Sequence, residues 1–83
     1  MSSELVYHDV ELDVRGLLCP LPVLRARKRL AAMKPGEILR IVATDPAAAI
    51  DVPHYCAESG HALLSTEQRD GLLIFAIRKT HGS

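Results

Sequence analysis

Hydrophobic and charged residues alternate near the start of the chain and then change to a helical spacing. Between residues 9 and 15 every second side chain is apolar, which predicts a half-buried strand that ends at Gly16. From Pro20 to Met33 the apolar positions recur at helical intervals, and Pro35-Gly36 ends that element. The apolar positions of this helix are Val23, Leu24, Ala26, Leu30, Ala31 and Met33. The first part of the chain therefore predicts a strand followed by an amphipathic helix.

A second helix is predicted in the middle of the chain. Asp45 followed by Pro46 is a helix-start signal, with Asp45 as the cap. Pro53 comes soon afterwards, and a proline in a helix interior removes a backbone hydrogen bond. We therefore expect an irregular turn over residues 47–50 and a fresh helix that Asp51 caps and Gly60 ends.

Three more segments have the composition of strands. A mostly β-branched run predicts a strand over residues 38–43, and two further strands are expected over residues 61–67 and 72–78. Between the last two, Arg69-Asp70-Gly71 contains the Asp-Gly pair that is typical of a hairpin turn. Residues 79–83 are expected to form a frayed tail.

The predicted element order is β-α-β-α-β-β in a single domain of 83 residues, with its core at about residues 9–79. Strands joined by a helix pair in parallel through a right-handed crossover, whereas a hairpin is antiparallel. We therefore predict a two-layer α/β sandwich of the α+β type, in which two helices cover one face of a four-stranded mixed sheet.

Composition and charge exclude several classes of protein. The formal net charge is zero, which argues against a general nucleic-acid binder. No apolar run approaches membrane-spanning length, and the N-terminus has no secretory pattern. The two cysteines fit neither a disulfide framework nor a zinc site, so a reduced, cytoplasmic setting is expected.

Cys19 is the candidate reactive group because it lies where the first strand passes into the first helix. As the helix cap, with Pro20 at the first position and Pro22 at the third, its sulfur would accept from the Leu21 N–H. A helix N-terminus lowers the pKa of a thiol and favours the nucleophilic thiolate. The alternative is a buried, inert cysteine beside a proline-marked helix start.

A basic cluster follows this cysteine on the predicted helix. Its members are Arg25, Arg27, Lys28 and Arg29, with Arg15 before the cysteine. The cluster is either the solvated face of an amphipathic helix or a docking patch for acidic partners beside a reactive thiol. Arg25, Lys28 and Arg29 are the members that we expect to be exposed and to contact partners.

Four short segments of the chain form a recognisable set: Leu12-Asp13-x-x-Gly16-Leu17-x-Cys19-Pro20-x-Pro22-Val23, Lys34-Pro35-Gly36-Glu37, Thr44-Asp45-Pro46 and Gly60-His61. Together they resemble the motifs of the TusA-type (SirA-like) sulfur-carrier family. The resemblance implies that Cys19 carries sulfane sulfur as a persulfide, with no cofactor or metal besides that covalent sulfur. It also implies that Gly16, Pro20, Leu21 and Pro22 shape the loop. Sulfur would pass between donor and acceptor proteins of rhodanese-like, DsrE-like or desulfurase type, with no stable nucleic-acid binding and no membrane.

Leu21 departs from one branch of that family. Members of the tRNA-thiolation branch typically have Glu between the two prolines. With Leu17 and Leu18 upstream, we expect apolar rather than acidic groups around the thiol. This favours a relay of the dissimilatory sulfur-oxidation type, and tRNA thiolation or cofactor biosynthesis remains the alternative within the family.

Two other functions remain open from the sequence. A redox-sensing interaction module also needs an accessible thiol of low pKa. A small RNA-binding domain is disfavoured by the neutral charge and the few aromatic residues.

The second cysteine and the histidines have predicted structural roles. Cys56 is expected to pack in the core, with a resolving thiol for Cys19 as the alternative. His54 and Cys56 fall on different faces of a helix, which argues against a shared metal. His61 is expected to hydrogen-bond backbone at the start of a strand, and His8 and His81 to lie in tails without a site.

Overall fold

The computed structural model describes residues 8–81. Its elements are β1 (Val10–Val14), α1 (Leu21–Ala31), β2 (Ile38–Ala43), α2 (Ala48–Ser59), β3 (Ala62–Arg69) and β4 (Leu72–Arg78). This order confirms the predicted one, and β2 and β4 have the predicted bounds. β1 ends just before its predicted limit, and β3 extends two residues beyond residue 67.

The strands form one sheet in the order β1-β2-β4-β3. β1 is parallel to β2, and β4 is antiparallel to both of its neighbours, so the predicted mixed sheet with two helices is confirmed. The β3–β4 hairpin turns at Asp70 and Gly71, whose φ angles are 53° and 80°. Two successive positive φ values are typical of a type I′ turn, the geometry that Asp-Gly favours.

The core lies between the helices and one face of the sheet. Phe75 and Ile41 face each other across β4 and β2, and Leu12 continues the row on β1. Leu30 of α1 and Val52 of α2 are fully buried in the same cluster. Since aliphatic side chains supply nearly all of this core, its stability comes mainly from the burial of apolar surface.

α2 is one continuous helix, so the predicted irregular turn and the fresh start at Asp51 are wrong. The amides of Ala48, Ala49 and Ile50 donate to carbonyls three residues earlier, which forms a tight first turn that then continues as α-helix. Pro53 lies within α2, where its missing N–H affects only the carbonyl of exposed Ala49. Asp51 is therefore an internal residue of α2 rather than its cap.

Lys79 is buried and hydrogen-bonded, so the prediction that the frayed tail begins at residue 79 is wrong. Its side chain is 2% exposed. The ammonium Nζ donates to the carbonyl oxygens of Leu30 at 2.6 Å and Met33 at 2.7 Å, at the C-terminal end of α1. Its backbone pairs with Gly36 and Glu37. The β-pairing therefore continues past β4 and holds a cation at the negative end of the α1 dipole.

The described residues contain no helix that is both long and apolar enough to cross a membrane.

Candidate functional site

Cys19 lies in the loop between β1 and α1, and its side chain is exposed. Pro20, not Cys19, occupies the cap position of α1, and no side chain caps this helix. The Leu21 amide donates to the carbonyl oxygen of Leu18 at 2.8 Å, so it is not the partner of the sulfur. The predicted capping role of Cys19 is therefore wrong, and so is the alternative of a buried thiol.

Asp45, in the connection between β2 and α2, hydrogen-bonds the backbone of the cysteine loop. Its Oδ2 accepts the Cys19 amide at 2.6 Å, and its Oδ1 accepts the Ala47 amide at 3.1 Å. The second bond is the Asx-type contact that Asp makes at turns. One carboxylate thus joins the cysteine loop to the segment before α2. The cap position of α2 is Ala47 and no side chain caps the helix, so the predicted capping by Asp45 is wrong.

Asp51 lies close to the thiol, in the first turn of α2. Its carboxylate and the Cys19 thiol line the same groove, and hydrogen bonding to Asp51 raises the pKa of Cys19 above its usual value. Partial desolvation and the negative charges of Asp51 and Asp45 raise that pKa further. The predicted lowering of the pKa and the predicted absence of acidic groups around Cys19 are therefore both wrong.

A groove of about 280 Å³ between α1 and α2 begins at Cys19. Arg27 and Leu24 line it from α1, and Asp51, His54 and Tyr55 from α2. A larger hollow of about 520 Å³ shares Arg27, Tyr55 and Glu58 with this groove and extends as far as His81. The thiol therefore lies at one end of a long interhelical depression.

Exposed apolar side chains either line this groove or neighbour its lining residues in the sequence. Leu18 is 67% exposed and Ile50 is 74% exposed, while Leu21 and Leu24 also face solvent. The surroundings predicted from Leu17, Leu18 and Leu21 were to be apolar. The groove does have apolar lining from Val23 and Leu24, together with the carboxylate of Asp51. Such a combination suits a surface that contacts other proteins, since exposed apolar patches often mark interaction sites.

The loop before Cys19 is held at its first turn. Gly16 has a φ of 82°, a conformation that favours glycine, and its amide donates to Thr44 Oγ1 at 2.8 Å. Asp13 accepts the Arg15 side chain at 2.9 Å through each carboxylate oxygen, and this interaction lowers the pKa of Asp13 to about 2. The turn that leads to the cysteine is therefore tied to the β2–α2 connection.

Comparison with known proteins identifies the family. The sequence model described as sulfurtransferase TusA matches residues 10–79. This chain belongs to the TusA family. The sulfur carrier protein TusA of Allochromatium vinosum is 42% identical over 72 residues, which cover 87% of this chain and 95% of that protein. A Neisseria meningitidis serogroup A protein is 45% identical over 67 residues, which cover 81% of this chain and 90% of its own.

A solved structure shows the same fold. The SirA-like protein of Desulfitobacterium hafniense superimposes with a TM-score of 0.78 at 21% identity, covering 88% of this chain and all of that one (100%). The family resemblance predicted from the motifs around Cys19 is therefore confirmed for both sequence and fold.

In this TusA-family chain, the basic cluster divides between two sides of α1. Arg25, Lys28 and Arg29 are exposed, as predicted. Since successive helical residues are turned by about 100°, Arg25 and Arg27 lie on opposite flanks of buried Ala26. Only Arg27 lines the groove, and the prediction omitted it. Arg27 comes two helical turns after Cys19 in the sequence, and this spacing could have indicated that it lies on the same side of α1 as the thiol.

Cys56 and His61 are buried, in contrast to Cys19. Cys56 is 4% exposed in the core, and burial raises its pKa to about 11, which disfavours a resolving role.

His61 Nδ1 accepts the Thr80 amide at 3.2 Å, so its predicted bond to backbone is confirmed. His81, predicted to lie in a tail, stacks on His61 with ring centroids 4.7 Å apart. No group of three or more candidate metal ligands occurs within residues 8–81.

Proposed function

We propose that this protein is a sulfur carrier that accepts sulfane sulfur on Cys19 as a persulfide and passes it to another thiol. In loading, the Cys19 thiol loses its proton and the thiolate attacks the outer sulfur of a donor persulfide. The new S–S bond forms as the bond to the inner sulfur of the donor breaks, and the donor leaves as a thiolate. In unloading, an acceptor thiolate attacks the outer sulfur of Cys19–S–SH and releases the Cys19 thiolate. Each step moves one sulfane sulfur atom from one thiol to another, so no external oxidant is required.

The exposure of Cys19 is the observation that carries this proposal. Thiol exchange requires access for the attacking group, and Cys19 is the exposed cysteine while Cys56 is buried. Membership of the TusA family supports the assignment, since the relative from Allochromatium vinosum is named a sulfur carrier. Gly16, Pro20, Leu21 and Pro22 would shape the loop that presents the thiol.

Intact-mass spectrometry after incubation with a sulfane donor tests the proposal. We expect the mass of one sulfur atom to be added and to be removed by a thiol reductant. Cys19→Ser should abolish the addition, and Cys56→Ala, which removes the other thiol, should retain it. Oxygen adducts alone on Cys19 would contradict the carrier function and favour a redox sensor.

Partner docking would use the exposed cations Arg25, Lys28 and Arg29. Their exposure on α1, the helix that follows the cysteine loop, supports a role in steering acidic partners, with Lys28 and Arg29 in its last turn. Charge reversal at these positions should slow transfer between proteins while loading by a small donor continues at its normal rate. An equal loss in both assays would exclude docking.

The relay would be of the dissimilatory sulfur-oxidation type, in the cytoplasm. Leu21, in the place where the tRNA-thiolation branch typically has Glu, supports this choice over tRNA thiolation or cofactor biosynthesis. Transfer from the loaded protein should be faster to a DsrE-like acceptor than to a tRNA-thiolation acceptor, with rhodanese-like or desulfurase-type proteins as donors. The opposite order of rates would assign the alternative pathway.

A further inference from the structure

The charged groups that face Cys19 come from three parts of the fold. The β2–α2 connection contributes Asp45, α1 contributes Arg27, and α2 contributes Asp51, His54 and Glu58. Their arrangement determines which charge an approaching molecule meets at the sulfur.

These groups differ in how far their charges are compensated. Glu58 pairs with His54 at 3.3 Å, so part of its charge is balanced whenever His54 is protonated. Asp45 uses both carboxylate oxygens to accept backbone amides. Asp51 lines the same groove as the thiol, and no cation among residues 8–81 forms an ion pair with it. Arg27 also lines the groove, but the charges that act on the thiol are those of Asp51 and Asp45, so the immediate surroundings of the sulfur are anionic.

We propose that Asp51 is a specificity-determining residue, which disfavours anionic small-molecule sulfane donors at Cys19 and so reserves the thiol for donors that a protein partner presents. This inference rests on the proposed carrier function. Inorganic polysulfide is such an anionic donor, because its chain carries negative charge at both ends. A protein donor can bring a cationic side chain to Asp51 and offset the repulsion.

Asp51 acts on Cys19 in two separable ways. The hydrogen bond to the carboxylate favours the protonated thiol, which slows reaction with every electrophile alike at a given pH. The negative charge repels anionic reagents only, and this effect weakens as added salt screens it. The ratio of rates for a neutral and an anionic reagent of similar structure therefore isolates the charge effect.

Alkylation of the full chain by iodoacetamide and by iodoacetate measures this ratio. In both reactions the Cys19 thiolate displaces iodide, and only the second reagent carries a negative charge. Asp51→Asn should speed both reactions and should speed iodoacetate by about 5-fold more than iodoacetamide, as expected for one charge about 4 Å away in a water-like medium. The additional gain should shrink at high salt.

Two further variants make the result specific. Asp51→Glu keeps the charge and should retain the wild-type ratio. Glu58→Gln removes a different carboxylate of the same groove, one that is paired with His54. It should change the iodoacetate-to-iodoacetamide rate ratio by less than Asp51→Asn does. An unchanged ratio in Asp51→Asn, or an equal change in Glu58→Gln, would overturn the proposal.

Loading by polysulfide separates this inference from the carrier function. The Cys19 thiolate takes one sulfur from the chain and forms Cys19–S–S⁻, while a polysulfide dianion one sulfur shorter leaves. Asp51→Asn should load faster than wild type. Absence of loading in both proteins, together with a changed alkylation ratio, would refute the carrier function and support the charge selection. Equal loading rates with an unchanged ratio would refute the role of Asp51 alone.

Discussion

Replacement of the buried Lys79 by Met tests whether the residue after β4 is part of the stable fold. The Lys79 ammonium donates to the carbonyl oxygens of Leu30 at 2.6 Å and Met33 at 2.7 Å, with a longer contact to Ala31 at 3.5 Å. Met has a similar length but no donor, so the variant keeps the apolar packing of the side chain and removes these bonds.

The expected destabilisation follows from the two short bonds. A hydrogen bond to a charged group contributes about 1.5–3 kcal/mol, so the gross loss is about 3–6 kcal/mol. Two effects reduce it: the variant no longer buries an ammonium, and the Leu30 carbonyl still accepts the Met33 amide at 3.1 Å. We expect the free energy of unfolding to fall by about 2–4 kcal/mol, and the Tm to fall by roughly 10 °C or more.

Urea unfolding followed by circular dichroism measures this change. The midpoint should fall while the slope of free energy against urea stays the same, because the surface exposed on unfolding is nearly unchanged. Arg78→Met is the matched control, because the neighbouring Arg78 is exposed and its replacement should cost less than about 0.5 kcal/mol. Equal stability of the two variants would refute the argument that Lys79 stabilises the end of α1.

Three further predictions concern the thiols, the glycine turns and the cysteine loop. In the native protein at pH 8, iodoacetamide should modify Cys19 but not Cys56, since burial raises the pKa of Cys56 to about 11 and keeps it protonated, and peptide mass mapping checks this. Gly71→Ala should lower the free energy of unfolding by about 1–2 kcal/mol, because its φ of 80° is costly for a residue with a Cβ although nothing lies within 4 Å of that atom. Gly60→Ala should cost at least as much in the same urea assay, since the added Cβ would also lie 3.3 Å from the His81 ring. Asp45→Ala removes the acceptor of the Cys19 amide and should increase hydrogen exchange at that amide, whereas unchanged exchange would contradict the anchoring role.

The strands were predictable because their signals are local. The alternation over residues 9–15 and the β-branched run over 38–43 each fix one face of a strand without reference to the rest of the chain. The Asp70-Gly71 pair likewise fixes its turn, because the two positive φ values are intrinsic to those residue types. The existence of these strands and of the hairpin therefore followed from sequence alone, whereas the pairing of β2 with β4 was not predicted.

The errors occur where long-range contacts override local preference. Pro53 predicts a break, but α2 packs Val52 and Cys56 into the core, and this burial outweighs the loss of one hydrogen bond near the helix start. Lys79 is charged and near the end of the chain, two features that predict exposure. Its partners are carbonyls of α1 that come 46 and 49 residues earlier, a distance over which sequence patterns give no signal.

In the site, a local effect and long-range contacts also oppose each other: the start of α1 favours a lower pKa for Cys19, and the carboxylates of α2 and its preceding connection favour a higher one. A helix start offers about half a unit of positive charge through its free amides. Pro20 and Pro22 have no amide hydrogen, and the Leu21 amide is already bonded to Leu18, so α1 has few donors to offer the sulfur. Asp51 places a negative charge in the same groove as the thiol, and Asp45 adds another nearby. The carboxylates therefore outweigh the helix dipole, and the pKa of the Cys19 thiol rises above its usual value instead of falling below it.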